Sequence, residues 1–298
     1  MNADEDLGRR WLETLQHQRR LSQHTLENYS RAVGLLFHLK EGTELRDLES
    51  HHVRRFVARL HAGGLSGRTL ALTLSAWRGF FNWLARHRGF AANPAQGVRA
   101  PKSARMLPKA LSVEQMQLLL DARGEETPPF LRDRAMVELL YSSGLRLGEI
   151  VALEAGDGRL DLKQGEVTVT GKGAKTRTVP VGSRASAALS AWLKARAQLA
   201  APGERALFVG VRGKRIAPAT VQARLRAWAR RQGLGASVHP HMLRHSFASH
   251  VLQSSQDLRA VQEMLGHASI STTQVYTHLD FQALAKVYDA AHPRARRK

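Results

Sequence analysis

The chain has 298 residues, 43% of them hydrophobic, and this length fits one large domain or two ordinary ones. Its 45 Lys and Arg against 25 Asp and Glu give a net charge of +20. Such a charge predicts a polyanionic partner, and it favours nucleic acid over an anionic membrane surface or a ribosomal scaffold. The sequence contains no cysteine, which excludes disulfides, cysteine-ligated zinc and thiol catalysis.

The sequence is that expected of a cytoplasmic protein without membrane insertion. Residues 1–6 lack the basic and apolar regions of a secretory signal. No apolar run approaches the roughly 18–20 residues of a spanning helix.

Residues 1–92 are predicted to form an all-helical domain. Ser22 is a candidate N-cap for one helix, a second stops at Gly63-Gly64, and a third begins after Ser66. The apolar positions at helical spacing are Leu26, Tyr29, Val33, Leu36, Phe37, Val53, Phe56, Val57, Leu60, Leu70, Leu74, Trp77, Phe81 and Leu84. Four arginines decorate the third helix and its end, which fits either a solvated surface or one that faces DNA.

Residues 93–108 are predicted to be an extended basic linker. The segment carries three prolines, which fix φ and remove amide donors, and three cations between them. We therefore expect a second domain over residues 109–298.

The second domain is predicted to be helical around a small sheet. Ser112 and Gln115 form a capping-box pattern, and helices are expected near 112–122 and 130–143. Short β-like runs follow at 159–162, 166–170 and 176–181, separated by glycines. The remainder reads as helix, with breaks near Pro202, Gly233 and Gly266 and at Pro293. The predicted fold class is mainly α with a small β-sheet.

Six polar residues of this second half form a coherent chemical set of cations, imidazoles and one phenol, without carboxylate or thiol. They are Arg146, Lys172, His241, Arg244, His267 and Tyr276. The set suits attack on a phosphodiester by a tyrosine, with no metal and no cofactor. His241 and Arg244, three residues apart after Pro240, should share one helix face, where an arginine can bind phosphate oxygens bidentately.

Each member of the set also has an ordinary structural interpretation. Arg146, between two helices, fits a capping or salt-bridging arginine. His241 and His245 have metal-ligand spacing, but the fixed cation at Arg244 disfavours a divalent ion, and core or capping roles are favoured for His245 and His250. A Gly-Lys-Gly hairpin tip is usually solvated, and a lone tyrosine usually belongs to a core.

Four segments in their order along the chain make it resemble the tyrosine recombinases of the integrase family, and within them the bacterial Xer recombinases. The segments are GLRLGEI, the GKG hairpin, HPHMLRHSFASH and LGHASISTTQVYTH. The likeness extends to LSQHTLENYSRAV near the start and to the tail, which is more similar to the XerC group than to the XerD group. It therefore covers nearly the whole chain.

The resemblance implies an N-terminal SAM-like helical domain and an α+β catalytic domain that form a C-shaped clamp on double-stranded DNA. It implies that Arg146 and Arg244 bind the scissile phosphate, that His241 and His267 complete the pocket, that Lys172 is the general acid and that Tyr276 is the nucleophile. Gly148 stands where relatives often have serine, a departure outside the six positions.

The resemblance also implies partners. We expect resolution of chromosome dimers at a dif-type site, in a heterotetramer with a XerD-like recombinase, stimulated by the septal DNA translocase FtsK. The alternatives are a phage, plasmid or integron-type integrase, a type IB topoisomerase, or a DNA-binding relative without catalysis. The apolar stripe Phe281, Leu284, Val287 and Tyr288 suits docking into a neighbouring protomer or an ordinary intramolecular helix.

Overall fold

The structure is a computed structural model that describes residues 3–19, 21, 23–102, 110–171, 175–234, 238–266 and 287–294. The chain divides into two compact units, an N-terminal unit of Met1–Met106 and a C-terminal unit of Leu107–Lys298. The predicted fold class, mainly helical with one small sheet, is confirmed.

The described residues of the N-terminal unit form four α-helices and a short 3-10 helix at Leu45–Asp47. The helices are α1 Ala3–Arg19, α2 Gln23–Leu39, α3 Ser50–Ala62 and α4 Gly67–Arg88. Ser66 caps α4, because its hydroxyl accepts a bond from the Thr69 amide at 3.2 Å. The Ser22 cap lies outside the described residues.

The apolar pattern of the N-terminal unit forms one core, as predicted. The α4 positions Leu70, Leu74, Trp77, Phe81 and Leu84 are all fully buried. The Trp77 indole donates to the Ala32 carbonyl at 2.6 Å and so ties α4 to α2.

The start of the predicted linker is part of this core. Residues 94–97 form a turn, and Ala95 and Val98 are buried in the N-terminal unit. The Asn93 amide group donates to the Arg78 carbonyl at 3.0 Å. The prediction of an extended segment is therefore wrong for residues 93–98, because a small and a β-branched side chain complete the apolar cluster. Residues 103–109 lie outside the described part.

The C-terminal unit packs helices around a three-stranded antiparallel sheet in the order β1-β2-β3. Its described elements are α5 Val113–Leu120, α6 Pro128–Ser142, α7 Leu147–Ala152, β1 Leu160–Asp161, β2 Glu166–Thr170, β3 Thr176–Pro180, α8 Ser183–Arg196, α9 Pro218–Arg231, α10 Pro240–Ser255 and α11 Leu258–Leu265. The predicted capping box is confirmed by bonds of 3.0 and 3.2 Å between Ser112 and Gln115.

A tight turn at Gly144 joins α6 to α7 and positions the residues that follow. Gly144 has φ +56°, and a Cβ there would lie 2.5 Å from the Phe247 ring on α10. Only glycine fits this close approach. The turn therefore places Arg146 next to the α10 helix.

The described part of the tail packs inside its own C-terminal unit. Residues 287–291 are helical, and the Tyr288 hydroxyl lies 2.7 Å from Ser142 Oγ. Arg294 donates to Asp121 at 2.8 Å and also pairs with Glu138. Val287 and Tyr288 therefore belong to an ordinary intramolecular helix, which is one of the two predicted alternatives. Phe281 and Leu284 lie outside the described part. Among the described helices, none has the length and apolar character needed to cross a bilayer.

Candidate active site

Three of the six predicted residues line one open cleft of about 510 Å³ at the start of α7 and α10. They are Arg146, His241 and Arg244. Two α9 residues one helical turn apart, Gln222 and Arg226, line the same cleft. The sequence reasoning did not single out this α9 pair.

Arg244 is a buried cation, with only 5% of its surface exposed. Its guanidinium donates to the Gly144 and Leu265 carbonyls at 2.5 Å each. Burial first, and then repulsion from Arg146 and Arg177, lower the pKa of Arg244 to about 9. The side chain thus stays positively charged at neutral pH.

Arg146 is the more exposed of the two cleft arginines, with 43% of its side chain accessible. Nη1 donates to Glu149 Oε1 at 2.9 Å, and Nη2 donates to the Gly266 carbonyl at 3.4 Å. Arg146 therefore makes the salt bridge expected from its ordinary structural interpretation, and it also lines the cleft.

Glu149 is a buried carboxylate beneath the cleft that the sequence reasoning missed. Besides Arg146 Nη1, it accepts bonds from the Arg146 amide at 2.7 Å and from Arg177 at 2.7 and 2.9 Å. Burial alone raises the pKa of Glu149, but the Arg177 fork and the Arg146 bonds outweigh it and lower the pKa to about 2. Glu149 is therefore an anion that holds two arginines.

Arg177 on β3 is the second missed residue. It shares the buried face of the strand with Val179, since residues two apart in a strand point to the same side. A charged residue at a buried position of a period-2 pattern, and a carboxylate three residues after Arg146, were signals for this pair.

His241 lies at the exposed start of α10. Pro240 is the first residue of that helix, as predicted, and His239 caps it by accepting from the Met242 amide at 3.2 Å. His250 has the core role expected of it, since its ring lies 2.9 Å from both the Tyr141 hydroxyl and the Leu111 carbonyl. Among the described residues no cluster of His, Asp or Glu is arranged to hold a metal ion.

Lys172, His267 and Tyr276 lie outside the described residues, but two of their neighbours do not. Gly171 precedes Lys172, and a Cβ on it would lie 3.8 Å from Arg146 Nη1. Gly266 precedes His267, and its carbonyl accepts from Arg146. The described residues that directly precede these two gaps therefore both lie close to Arg146.

Family comparisons agree with this architecture. A sequence model described as the phage integrase family matches residues 109–283, and one described as the N-terminal SAM-like domain of phage integrases matches residues 9–88. The chain belongs to the phage integrase family.

Relatives within the family are similar over nearly their full length. The tyrosine recombinase XerC 1 of Ralstonia nicotianae is 55% identical over 97% of this chain and 93% of the relative. The XerC of Azotobacter vinelandii is 52% identical over 100% of this chain and 98% of the relative. The chain is thus a XerC-like tyrosine recombinase. It is an enzyme that cleaves and rejoins DNA strands.

Solved family structures share the fold. The XerH site-specific recombinase bound to its difH substrate, in a pre-cleavage complex, is similar with a TM-score of 0.66 and 25% identity, over 91% of this chain and 80% of that one. A lambda integrase dimer bound to a core site is similar with a TM-score of 0.70 and 19% identity, over 91% and 99%, which shows the fold alone.

Proposed function

We propose that this recombinase resolves chromosome dimers in the cytoplasm, at a dif-type site, in a heterotetramer with a XerD-like recombinase. The relatives named XerC support this role. We propose further that the septal translocase FtsK stimulates the reaction. The observation that carries the proposal is a single cleft lined by two arginines and a histidine, with Gly171 and Gly266 beside it.

The proposed roles follow from the chemistry of each group. Arg146 and Arg244 bind the nonbridging oxygens of the scissile phosphate, because guanidinium forks match that geometry and stay charged. Tyr276 is the nucleophile, and His241 accepts its proton. His241 and His267 complete the pocket, and Lys172 is the general acid. No metal and no cofactor takes part.

A neutral phenol is a weak nucleophile, so its attack on a phosphodiester requires a base or a positive field. With a pKa near 10, roughly one tyrosine in a thousand is ionised at pH 7. The positive field of the two arginines favours the phenolate and the charge that gathers on the phosphate oxygens in the transition state. Removing one preorganised donor of this kind costs about 3 kcal/mol, or roughly a hundredfold in rate.

The bond changes balance without an outside energy source. The Tyr276 oxygen forms a bond to phosphorus while the bond to the 5′-oxygen breaks, and Lys172 donates a proton to that leaving oxygen. The product is a 3′-phosphotyrosyl diester. Attack by a 5′-hydroxyl reverses the step and reseals a strand, so no ATP is required.

The chain organisation is part of the proposal. We propose that residues 1–92, together with the packed residues 93–98, are the helical core-binding domain, that the rest of the segment up to 108 connects the domains along double-stranded DNA, and that 109–298 are catalytic. The net charge of +20 supports an extended contact with phosphates.

A covalent trapping assay on a nicked dif-type substrate tests the nucleophile. The wild-type protein should accumulate a protein–DNA adduct, whereas Tyr276→Phe should bind the site equally and form none. An adduct formed by Tyr276→Phe would reject Tyr276 as nucleophile. Equal cleavage of unrelated duplexes would favour a topoisomerase.

Metal dependence and site choice are tested in the same assay. Cleavage should proceed at an unchanged rate in excess EDTA, and strict dependence on Mg²⁺ would contradict the mechanism. Complete strand exchange on dif-type DNA should require the XerD-like partner. Recombination of a phage attachment site by the chain alone would instead indicate an integrase.

A further inference from the structure

Three consecutive carbonyl oxygens at the end of α11 are each bound by a different arginine. The pairs are Arg177 Nε to Met264 O at 2.9 Å, Arg244 Nη2 to Leu265 O at 2.5 Å and Arg146 Nη2 to Gly266 O at 3.4 Å. The last carbonyls of a helix lack intrahelical partners and carry partial negative charge. These bonds therefore fix the point from which the chain continues to His267.

Arg177 differs from the other two arginines in its surroundings. It is only 7% exposed, does not line the cleft and binds both Glu149 oxygens, at 2.7 and 2.9 Å. A phosphate in the cleft would have access to Arg146 and Arg244, which line it, and not to Arg177, which does not. We therefore expect the Arg177 contact with α11 to persist when DNA binds.

The contact between Arg177 and the end of α11 is close enough to require a glycine. Gly266 has φ +61°, and a Cβ there would lie 2.9 Å from Arg177 Cδ. Both the conformation and the approach exclude larger residues. The Gly266 backbone therefore packs directly against the Arg177 side chain.

Arg177 also lies on β3, the strand that follows Lys172 in the chain, and through Glu149 it is linked to Arg146. One buried side chain thus connects three chain segments. They are the β2–β3 hairpin, the start of α7 and the end of α11.

We propose that Arg177 is a positioning residue for DNA strand cleavage, which binds Glu149 and Met264 and so fixes Arg146 and the two chain positions, Gly171 and Gly266, from which the chain continues to Lys172 and His267. The proposal rests on the proposed function, because it assigns Arg177 to the same site. Misplacement of reacting groups by about 1 Å can slow a reaction on the order of a hundredfold. The expected defect is therefore in cleavage rate and not in DNA affinity.

The experiment compares Arg177→Met and Arg177→Lys with wild type in single-turnover cleavage of the nicked substrate and in equilibrium DNA binding. Arg132→Lys is the matched control, because Arg132 is 2% exposed, pairs with Asp133 at 2.7 Å and does not line the cleft. All variants are first checked by thermal unfolding and assayed at a temperature where each is folded.

Arg177→Met should cleave about a hundredfold more slowly and Arg177→Lys about tenfold more slowly, with Kd within about threefold of wild type. Lysine restores the charge but not the fork that bridges Glu149 and Met264. Without Arg177 the pKa of buried Glu149 rises, so the acid limb of the cleavage–pH profile should move to higher pH in Arg177→Met. Arg132→Lys should change neither rate nor profile.

Wild-type cleavage rates in folded Arg177→Met would overturn the proposal, and so would equal losses in Arg177→Lys and Arg132→Lys. If Arg177→Met does not fold, Arg177→Lys decides alone by the same criteria. Failure of the proposed function is recognised separately, because wild type itself would then form no adduct or Tyr276→Phe would still form one.

Discussion

The two units of this protein differ in how many polar and charged side chains they bury. Among the described residues of the N-terminal unit, Thr73 is the one polar side chain that is fully buried, and its charged side chains are exposed or, as in the Lys40–Asp4 pair, partly buried. The C-terminal unit buries charged and polar groups close to the cleft, including Glu149, Arg177 and Arg244. The first unit is thus a scaffold held by apolar packing, whereas the second uses its interior to hold cations in place.

The difference follows from what each unit has to fix. Apolar contacts are nondirectional and sufficient for a helical bundle. A guanidinium is held in one orientation only by directed bonds, and a buried charge is tolerated only when it is paired and hydrogen-bonded. The carboxylate of Glu149 and the carbonyls at the end of α11 supply those partners.

The largest expected effect tests whether the N-terminal unit depends on its apolar core alone. Trp77→Ala should destabilise it by about 4 kcal/mol, because a large buried aromatic is lost and a cavity remains. Hydrogen exchange should show lost protection in α4 and retained protection in α6 and α10. Equal loss in all three helices would show instead that the two units unfold together.

The next prediction concerns the charged interior of the C-terminal unit. The pKa of Glu149 lies at about 2 in the folded protein against an ordinary 4.5. A lowered carboxyl pKa gives stability that is complete above pH 4.5 and is lost as the pH falls towards 2. The contribution is roughly 3 kcal/mol.

Urea unfolding of wild type and Glu149→Gln between pH 7 and pH 3 measures this contribution. The stability gap between them should be largest at pH 7 and should narrow below pH 4.5. A gap that is constant with pH would show that the Glu149 charge does not contribute.

A smaller effect is expected at the turn that places Arg146. Gly144→Ala should destabilise the C-terminal unit by about 2 kcal/mol, since alanine disfavours positive φ and its Cβ would clash with Phe247. Gly148→Ala is the control, because that position is open and helical. Thermal unfolding should separate the two, and equal melting temperatures would contradict the role of the turn.

The smallest effect belongs to the surface charges of the N-terminal unit. Arg59 and Glu41 form an ion pair at 2.8 Å, but both side chains are exposed. Solvent and salt screen such pairs, so Arg59→Ala should leave the melting temperature unchanged. A clear drop in the melting temperature would show that a surface ion pair also stabilises the N-terminal unit.

Local sequence patterns were sufficient for most elements of both units, although they did not locate α1 or the 3-10 helix Leu45–Asp47. Several of these elements depend on residues close in the chain. They are the caps at Ser66 and Ser112, the strands Glu166–Thr170 and Thr176–Pro180, and the apolar stripe of α4. Helical spacing also predicted that His241 and Arg244 share a face. Motif order gave the family, which the comparisons confirm.

Only the tertiary structure decided how the arginines are held. Arg244 reaches Gly144 across 100 residues, and Arg146 reaches Gly266 across 120. The local signals at Glu149 and Arg177 do not show which groups these two residues bind, and residues 93–98 were predicted to be linker. Where these residues lie depends on hydrogen-bond partners and apolar neighbours that are far away in the chain. Those partners come together only when the chain packs, so a local pattern does not contain them.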